Sequence, residues 1–241
     1  MITHFPYDSL GKANYGWLKS NHHFSFANYY NPARTGFGAL LVVNDDWVQA
    51  GTGFGAHPHK NMEIISYIRS GALSHEDNTG NKGVIEAGEV QVMSAGTGIV
   101  HSEYNHTDTA LTFYQIWIHS NEKNTTPKWD SKKFPTDFSN SELTLLVSGY
   151  PQDEGKALFI HQEARIFGSK IKKGARFSHN ITHQAYILAS HGEFDISVNE
   201  KSDNEQSVTL HKGDGAQVTA TNTVTITALS DCEIVLIDAP A

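Results

Sequence analysis

The chain has 241 residues, 39% hydrophobic and 10% aromatic, which is enough for one large β domain or two small ones around a real core. Only 18% are charged and the formal net charge is −8, so there is no general attraction for a phosphate backbone; this argues against direct nucleic-acid binding, though not against binding a protein that itself contacts DNA. One cysteine, Cys232, rules out an intrachain disulfide, residues 1–8 carry no basic stretch followed by an apolar run, and no apolar run approaches the ~20 residues that span a bilayer, so a soluble cytoplasmic protein with no membrane association is expected.

Short apolar or alternating runs, each ended by Gly, Asn or Asp, follow one another along the chain. They begin with Phe37–Val43, Met62–Arg69, Val90–Ser94 and Thr112–His119. Val, Ile, Thr, Phe and Tyr dominate them, and many short strands at this spacing predict a sandwich or barrel. Residues 77–81, Asp-Asn-Thr-Gly-Asn, form a turn signal between two strands. No long amphipathic helix is visible, and only short helical turns near Asn61 or Gln162–Arg165 are candidates. Between Ser120 and Glu142 the chain turns polar and contains Pro127 and Pro135, which reads as a linker. Beyond it the rhythm resumes at Leu143–Ser148, Ala185–Ala189, Phe194–Val198, Thr223–Ala228 and Glu233–Asp238, with a turn at Gly213-Asp214-Gly215, as if the unit had been duplicated. The expected fold is all-β, with an N-terminal unit and linker over 1–133 and a C-terminal unit over 134–241.

The chemistry is concentrated in two pairs about forty residues apart, His57-Pro58-His59 and His101-Ser102-Glu103. Residues i and i+2 of a strand share a face, so each pair projects two donors together. Meeting across a barrel, they offer three imidazole nitrogens and one carboxylate, a set that suits a divalent transition ion. With 14 histidines in the chain, one His-x-His pair alone is weak evidence; the context strengthens it. Gly51, Gly53 and Gly55 precede His57, and Gly88, Gly96 and Gly98 lead into His101, as a small barrel with sharp corners requires.

This arrangement resembles the cupin superfamily. Gly51, His57, His59 and Glu63 match its first motif, G-x5-H-x-H-x3–4-E-x6-G, with the closing glycine one residue late at Gly71. Gly88, Gly98, His101 and Asn105 fit the second, G-x5-P-x-G-x2-H-x3-N, with the first spacing stretched by two and Gly96 where the proline would stand. Residues 24–30, 56–60, 75–77 and above all 93–105 resemble the pirin family, whose members are bicupins. The resemblance covers essentially the whole chain. It implies two tandem cupins: an N-terminal one holding a metal on His57, His59, His101 and Glu103, and a degenerate C-terminal one. Bacterial members closest in pattern are quercetin 2,3-dioxygenases; others are iron-binding transcriptional cofactors. In most cupins the fourth ligand corresponds to Glu63 and in pirin-like proteins to Glu103. Strand parity alone does not decide, and Glu103 is chosen because it forms its own i, i+2 pair with His101.

Three neutral imidazoles and one carboxylate carry −1, so a divalent ion leaves the site at +1, to be offset by one bound anion. Four protein ligands leave one or two positions open on an ion that accepts five or six. Iron is the first candidate, with copper, manganese, cobalt, nickel or zinc also suiting the donors. The family resemblance implies oxygen-dependent ring cleavage of a flavonol such as quercetin, with dioxygen as co-substrate; Glu103 would serve as general base where it partly releases the metal. Phe26, Phe54, Met62, Met93 and Phe113 are candidates either for an apolar slot or for plain core. His22 and His23 are placed at the barrel mouth, while His75, His106 and His119 read as surface or structural groups. His179 and His183 lack ligand spacing for a strand, no His-x-His occurs in the second unit, and no metal is expected there. Cys232 reads as a small buried residue. Phosphate-loop, dinucleotide and hydrolase-elbow motifs do not occur. Two other functions share the same ligands: a redox-sensitive regulatory protein that docks a protein partner, and a cupin enzyme acting on another enol or phenol metabolite.

Overall fold

The computed structural model describes residues 1–199 and 205–241, and their regular structure is almost wholly strand. The chain divides into two compact units, one of residues 11–134 with 149–163, the other of 1–10, 135–148 and 164–241. β1 (Ile2–Phe5) belongs to the second. The first holds β2 (Gly11–Asn14), β3 (Leu18–His22), β4 (Leu40–Val48), β5 (Thr52–His59), β6 (Met62–Ser70), β7 (Ala72–Asp77), β8 (Lys82–Glu86), β9 (Glu89–Ser94), β10 (Ile99–Asn105), β11 (Leu111–His119) and β12 (Lys128–Lys133). They form two sheets, ordered β12-β9-β6-β11-β4-β3-β2 and β5-β10-β7-β8. Among the described residues no helix is long and apolar enough to cross a membrane.

Period-2 alternation builds the interior of this unit. Leu18, Val48, Ile68, Leu73, Ile85, Leu111 and Phe113 form one apolar cluster, and Ile64, Met93, Ala95 and Ile99 another. Each of these side chains larger than alanine contributes about 1.5–3 kcal/mol when removed from water. The same strands also bury Ser20, Asn44, Asp46, Ser66, Gln91, His101 and Glu103. Buried polar groups are costly unless hydrogen-bonded, so this set must be satisfied internally or serve a ligand.

The second unit continues with β13 (Phe138–Ser139), β14 (Thr144–Ser148), β15 (Leu158–Phe159, within the segment that belongs to the first unit), β16 (Arg165–Ile171), β17 (Arg176–Asn180), β18 (Gln184–His191), β19 (Glu193–Asn199), β20 (Glu205–His211), β21 (Gly215–Val218), β22 (Thr223–Ala228) and β23 (Cys232–Ala239). Strands β1-β21-β18-β23-β16-β14 face a sheet ordered β17-β22-β19-β20. The interior is largely apolar, filled by side chains such as Ile187, Phe194, Ile196, Leu210, Ile226 and Leu236. His179 packs edge-on against Phe167, ring centroids 4.5 Å apart.

The units are not the contiguous stretches 1–133 and 134–241. Residues 1–10 join the second unit because β1 pairs antiparallel with β21, Ile2 opposite Val218 and Phe5 opposite Gly215. Residues 149–163 join the first, where Gln162 Nε2 donates to the His119 carbonyl and the Asn121 N–H to that of His161. Asp214 anchors the N-terminal strand: its carboxylate accepts from the Tyr7 N–H at 2.8 Å and the His211 N–H at 3.0 Å, and meets His4 Nε2 at 2.9 Å. Gly213, at φ +90°, lets the chain pass under the Tyr7 ring, which a Cβ there would meet at 2.3 Å. Asp214→Ala should therefore cost about 2–4 kcal/mol, read from the urea midpoint at unchanged slope; a loss below about 0.5 kcal/mol would show that the N-terminal strand is held by other contacts.

Candidate metal centre

Strands β5 and β10 pair antiparallel with Ile99 opposite His59 and His101 opposite His57. The register then shifts, and Glu103 stands opposite Phe54. Two residues of β10 thus span three of β5, a β-bulge at Gly55-Ala56. The bulge resets parity, so that Phe54 and His57, three apart, both turn toward the interior. Gly53 serves a different end from a turn: a Cβ there would lie 2.3 Å from the Glu103 carbonyl oxygen, so only glycine lets the two strands close at this point.

The rings of His57, His59 and His101 lie 4.5–5.0 Å apart centroid to centroid. Their donor nitrogens fall within 4.8 Å of one another, with Nε2 of His57 and His101 at 3.1 Å. The Gly55 carbonyl can only accept, so His57 Nδ1, 2.7 Å away, carries the proton and leaves the Nε2 lone pair free. Two nitrogens each about 2.1 Å from one ion, at roughly a right angle, would be about 3 Å apart. Burial, reinforced by the neighbouring imidazoles, pushes His59 down to about 4 and His101 down to about 3. Both are therefore neutral at pH 7, the form that ligates a metal. The buried Nδ1 atoms of His75 and His101 have no hydrogen-bond partner. The donor set thus fits a divalent transition ion.

Glu103 is buried and is held by two carboxamides. Its oxygens accept from Gln91 Nε2 and, at 3.0 Å, from Gln115 Nε2. Each glutamine is in turn fixed by an indole: Trp129 Nε1 donates to Gln91 Oε1 at 2.9 Å and Trp117 Nε1 to Gln115 Oε1 at 3.2 Å. An indole N–H only donates, so neither amide can flip, and both NH2 groups stay aimed at Glu103. Burial pushes the Glu103 carboxyl up to about 7 against the pull of these donors. Glu103 forms a second cluster with His75 and His101, so His101 belongs to both groups.

His75 is thus not a surface residue. It lies opposite Glu103 on β7, stacks on Trp129 at 5.1 Å and bonds Asp77 at 3.0 Å. Its His75-x-Asp77 spacing carried the same i, i+2 signal as the pairs His57-x-His59 and His101-x-Glu103. Glu63 belongs to neither cluster: it is buried on β6, one position from inward-facing Ile64, and accepts from Ser94 Oγ at 2.6 Å. His106 and His119 are exposed.

A cavity of about 390 Å³ opens beside His57 and His59. Its walls are Tyr15, Trp17, Phe26, Phe54 and Trp117, with Ser20, His22, Asn44, Asp46 and Gln115 as polar members. Of the expected slot residues, Phe26 and Phe54 line it, whereas Phe113, Met62 and Met93 pack into the apolar clusters. His22 lines it too, while His23 is fully buried elsewhere. Trp117, Gln91, Gln115 and Asp46 were not singled out in the sequence; the inward parity of β11, Phe113-x-Gln115-x-Trp117, is the signal that could have marked two of them.

Residues 6–118 match the family model described as Pirin, and residues 145–239 the one described as the quercetinase C-terminal cupin domain. A pirin-like protein of Caulobacter vibrioides is 43% identical over 241 residues, covering 99% of this chain and 100% of its own. A quercetin 2,3-dioxygenase of Escherichia coli K12 is 39% identical over 231 residues, 95% of each chain. The structure of the bacterial pirin YhhW from Escherichia coli in complex with nickel(II) superposes with a TM-score of 0.89 at 39% identity, covering 100% of this chain and 99% of that one. With two facing-sheet units, a histidine cluster in the first and relatives of this similarity along its whole length, the chain belongs to the pirin family and is a bicupin.

Proposed function

We propose that this protein is a metal-dependent dioxygenase that cleaves a flavonol of the quercetin type, with one divalent ion held by His57, His59, His101 and Glu103. The observation that carries this reading is the convergence of three imidazoles at the edge of an aromatic-walled cavity. The names of the relatives and the nickel(II) of the YhhW complex support it. Iron is our first choice of metal; nickel, copper, manganese, cobalt and zinc suit the same donors. We place the protein in the cytoplasm, consistent with Cys232 being a lone free cysteine.

When bound, such an ion supplies a Lewis acid that acidifies a ligated hydroxyl and keeps positions open for small molecules. The chain's own residues do the rest. Trp117, Phe26 and Phe54 flank a flat guest and exclude water. A Glu103 carboxylate that partly releases the ion would take the proton of the guest's hydroxyl. Gln91 and Gln115 fix where that oxygen points, and Trp129 and Trp117 fix the glutamines. Position supports choosing Glu103 over Glu63: Glu103 shares a cluster with His101, whereas Glu63 stands outside both clusters.

Metal analysis of protein purified without added metal should find His57→Ala and His101→Ala depleted at least about tenfold and Glu63→Ala at the wild-type level. If Glu63→Ala lost its metal while Glu103→Ala kept it, the ligand choice would be reversed. Metal-loaded protein mixed with quercetin should bleach the flavonol absorbance in air, with matching dioxygen uptake, and leave it unchanged under argon; an absence of oxygen-dependent bleaching refutes the flavonol reading. Gln91→Leu, which strips Glu103 of one donor, should cost about 10–100-fold in metal affinity or turnover. Wild-type values for both would make that hydrogen bond irrelevant to function.

A further inference from the structure

The cavity has a second polar wall that the metal chemistry does not use. It comes from the opposite sheet: Ser20 and His22 on β3, Asn44 and Asp46 on β4. Three of these satisfy one another, Ser20 Oγ lying 3.2 Å from His22 Nδ1 and His22 Nδ1 lying 2.8 Å from Asn44 Oδ1. Asp46 differs. It is 3% exposed, takes a hydrogen bond from Ser20, and has Oδ1 buried without any partner. The nearby cation does not serve it, because Arg69 pairs with Asp45, on the other face of β4.

A buried carboxyl oxygen left without a partner is destabilising. The next inward positions along and across the sheet are Val48 and Phe113, so an apolar side chain at position 46 would simply extend the core. The carboxyl instead stands in the lining of the cavity, which points to a guest that completes it.

We infer that Asp46 is the docking group for a second hydroxyl of the guest: the cavity takes a flat aromatic that presents one oxygen to the histidine cluster and engages Asp46 Oδ1 with a further hydroxyl. This rests on the cavity being the guest site, as proposed above. A hydroxyl suits the site better than an ammonium. Burial pushes the Asp46 carboxyl up to about 7, with Asp45 and Glu103 adding to the effect and Ser20 opposing it, so both protonation states are present near neutrality. A hydroxyl both donates and accepts and so pairs with either state, whereas an ammonium only donates.

The test is anaerobic binding to the metal-loaded protein, followed by tryptophan fluorescence. The probes are quercetin and 3-hydroxyflavone, which keeps the hydroxy-ketone and lacks every other hydroxyl. Wild type should prefer quercetin by about tenfold or more. Asp46→Ala should bring that ratio close to one by weakening quercetin alone, with the Kd of 3-hydroxyflavone within twofold of wild type. Asp46→Asn, which keeps an acceptor oxygen of the same shape, should retain most of the preference. Equal wild-type affinities, an undiminished preference in Asp46→Ala, or equal weakening of both probes would overturn the assignment while leaving the cavity as the guest site. Failure of wild type to bind either probe would overturn the cavity reading and this assignment with it. Should Asp46→Ala not fold, Asp46→Val, which extends the core, takes its place and should likewise bring the ratio close to one; an undiminished preference in it would overturn the assignment.

Discussion

The register that sets His101 opposite His57 is the constraint on which the site depends. In a strand pair a slip of one residue turns every side chain to the other face. Here a slip of β5 would send His57 and His59 out of the interior, away from His101 on β10. The register is guarded from both sides. Beyond the bulge, Phe54 packs against the apolar cluster of Leu18, Val48 and Phe113, and at the other end Ile99 packs with Ile64 and Met93. Apolar packing thus positions the clustered histidines, which could not stabilise the barrel by themselves.

The two units show how one rhythm of strands can be put to different uses. In the second, inward positions carry Ile, Leu, Val, Ala and Phe, and the interior is filled. In the first, the strands interleave a polar set between two apolar clusters, and its central carboxylate is secured by a chain running Trp117–Gln115–Glu103–Gln91–Trp129. Every link in that chain is a donor aimed at an acceptor with no reverse assignment available. Such a network holds a carboxylate in place where water does not reach, at the cost of the apolar packing it displaces.

Much of this was legible before any coordinates. Alternating runs ended by Gly, Asn and Asp foretold an all-β chain, and the two i, i+2 pairs marked three histidines that the structure brings together. What stayed hidden depended on contacts distant in sequence. Nothing in Ile2–Phe5 announces that it pairs with Gly215–Val218, because a short alternating strand carries no address for its partner. The break between β5 and β6 at Lys60-Asn61, where Asn61 takes φ +51°, is invisible to a parity count, and so the face of Glu63 relative to the histidines was undecidable from spacing. Gln91, Gln115 and Asp46 were passed over because lone polar residues in an alternating strand usually face solvent, and only the closed barrel turns these three inward.

The most direct test of the account is X-ray absorption at the metal edge of the protein loaded with one equivalent of nickel(II). The account predicts a first shell of nitrogen and oxygen only, with the multiple-scattering signature of three imidazoles, falling to two in His57→Ala. A spectrum showing fewer than three imidazoles in the wild type, or one left unchanged by His57→Ala, would contradict it.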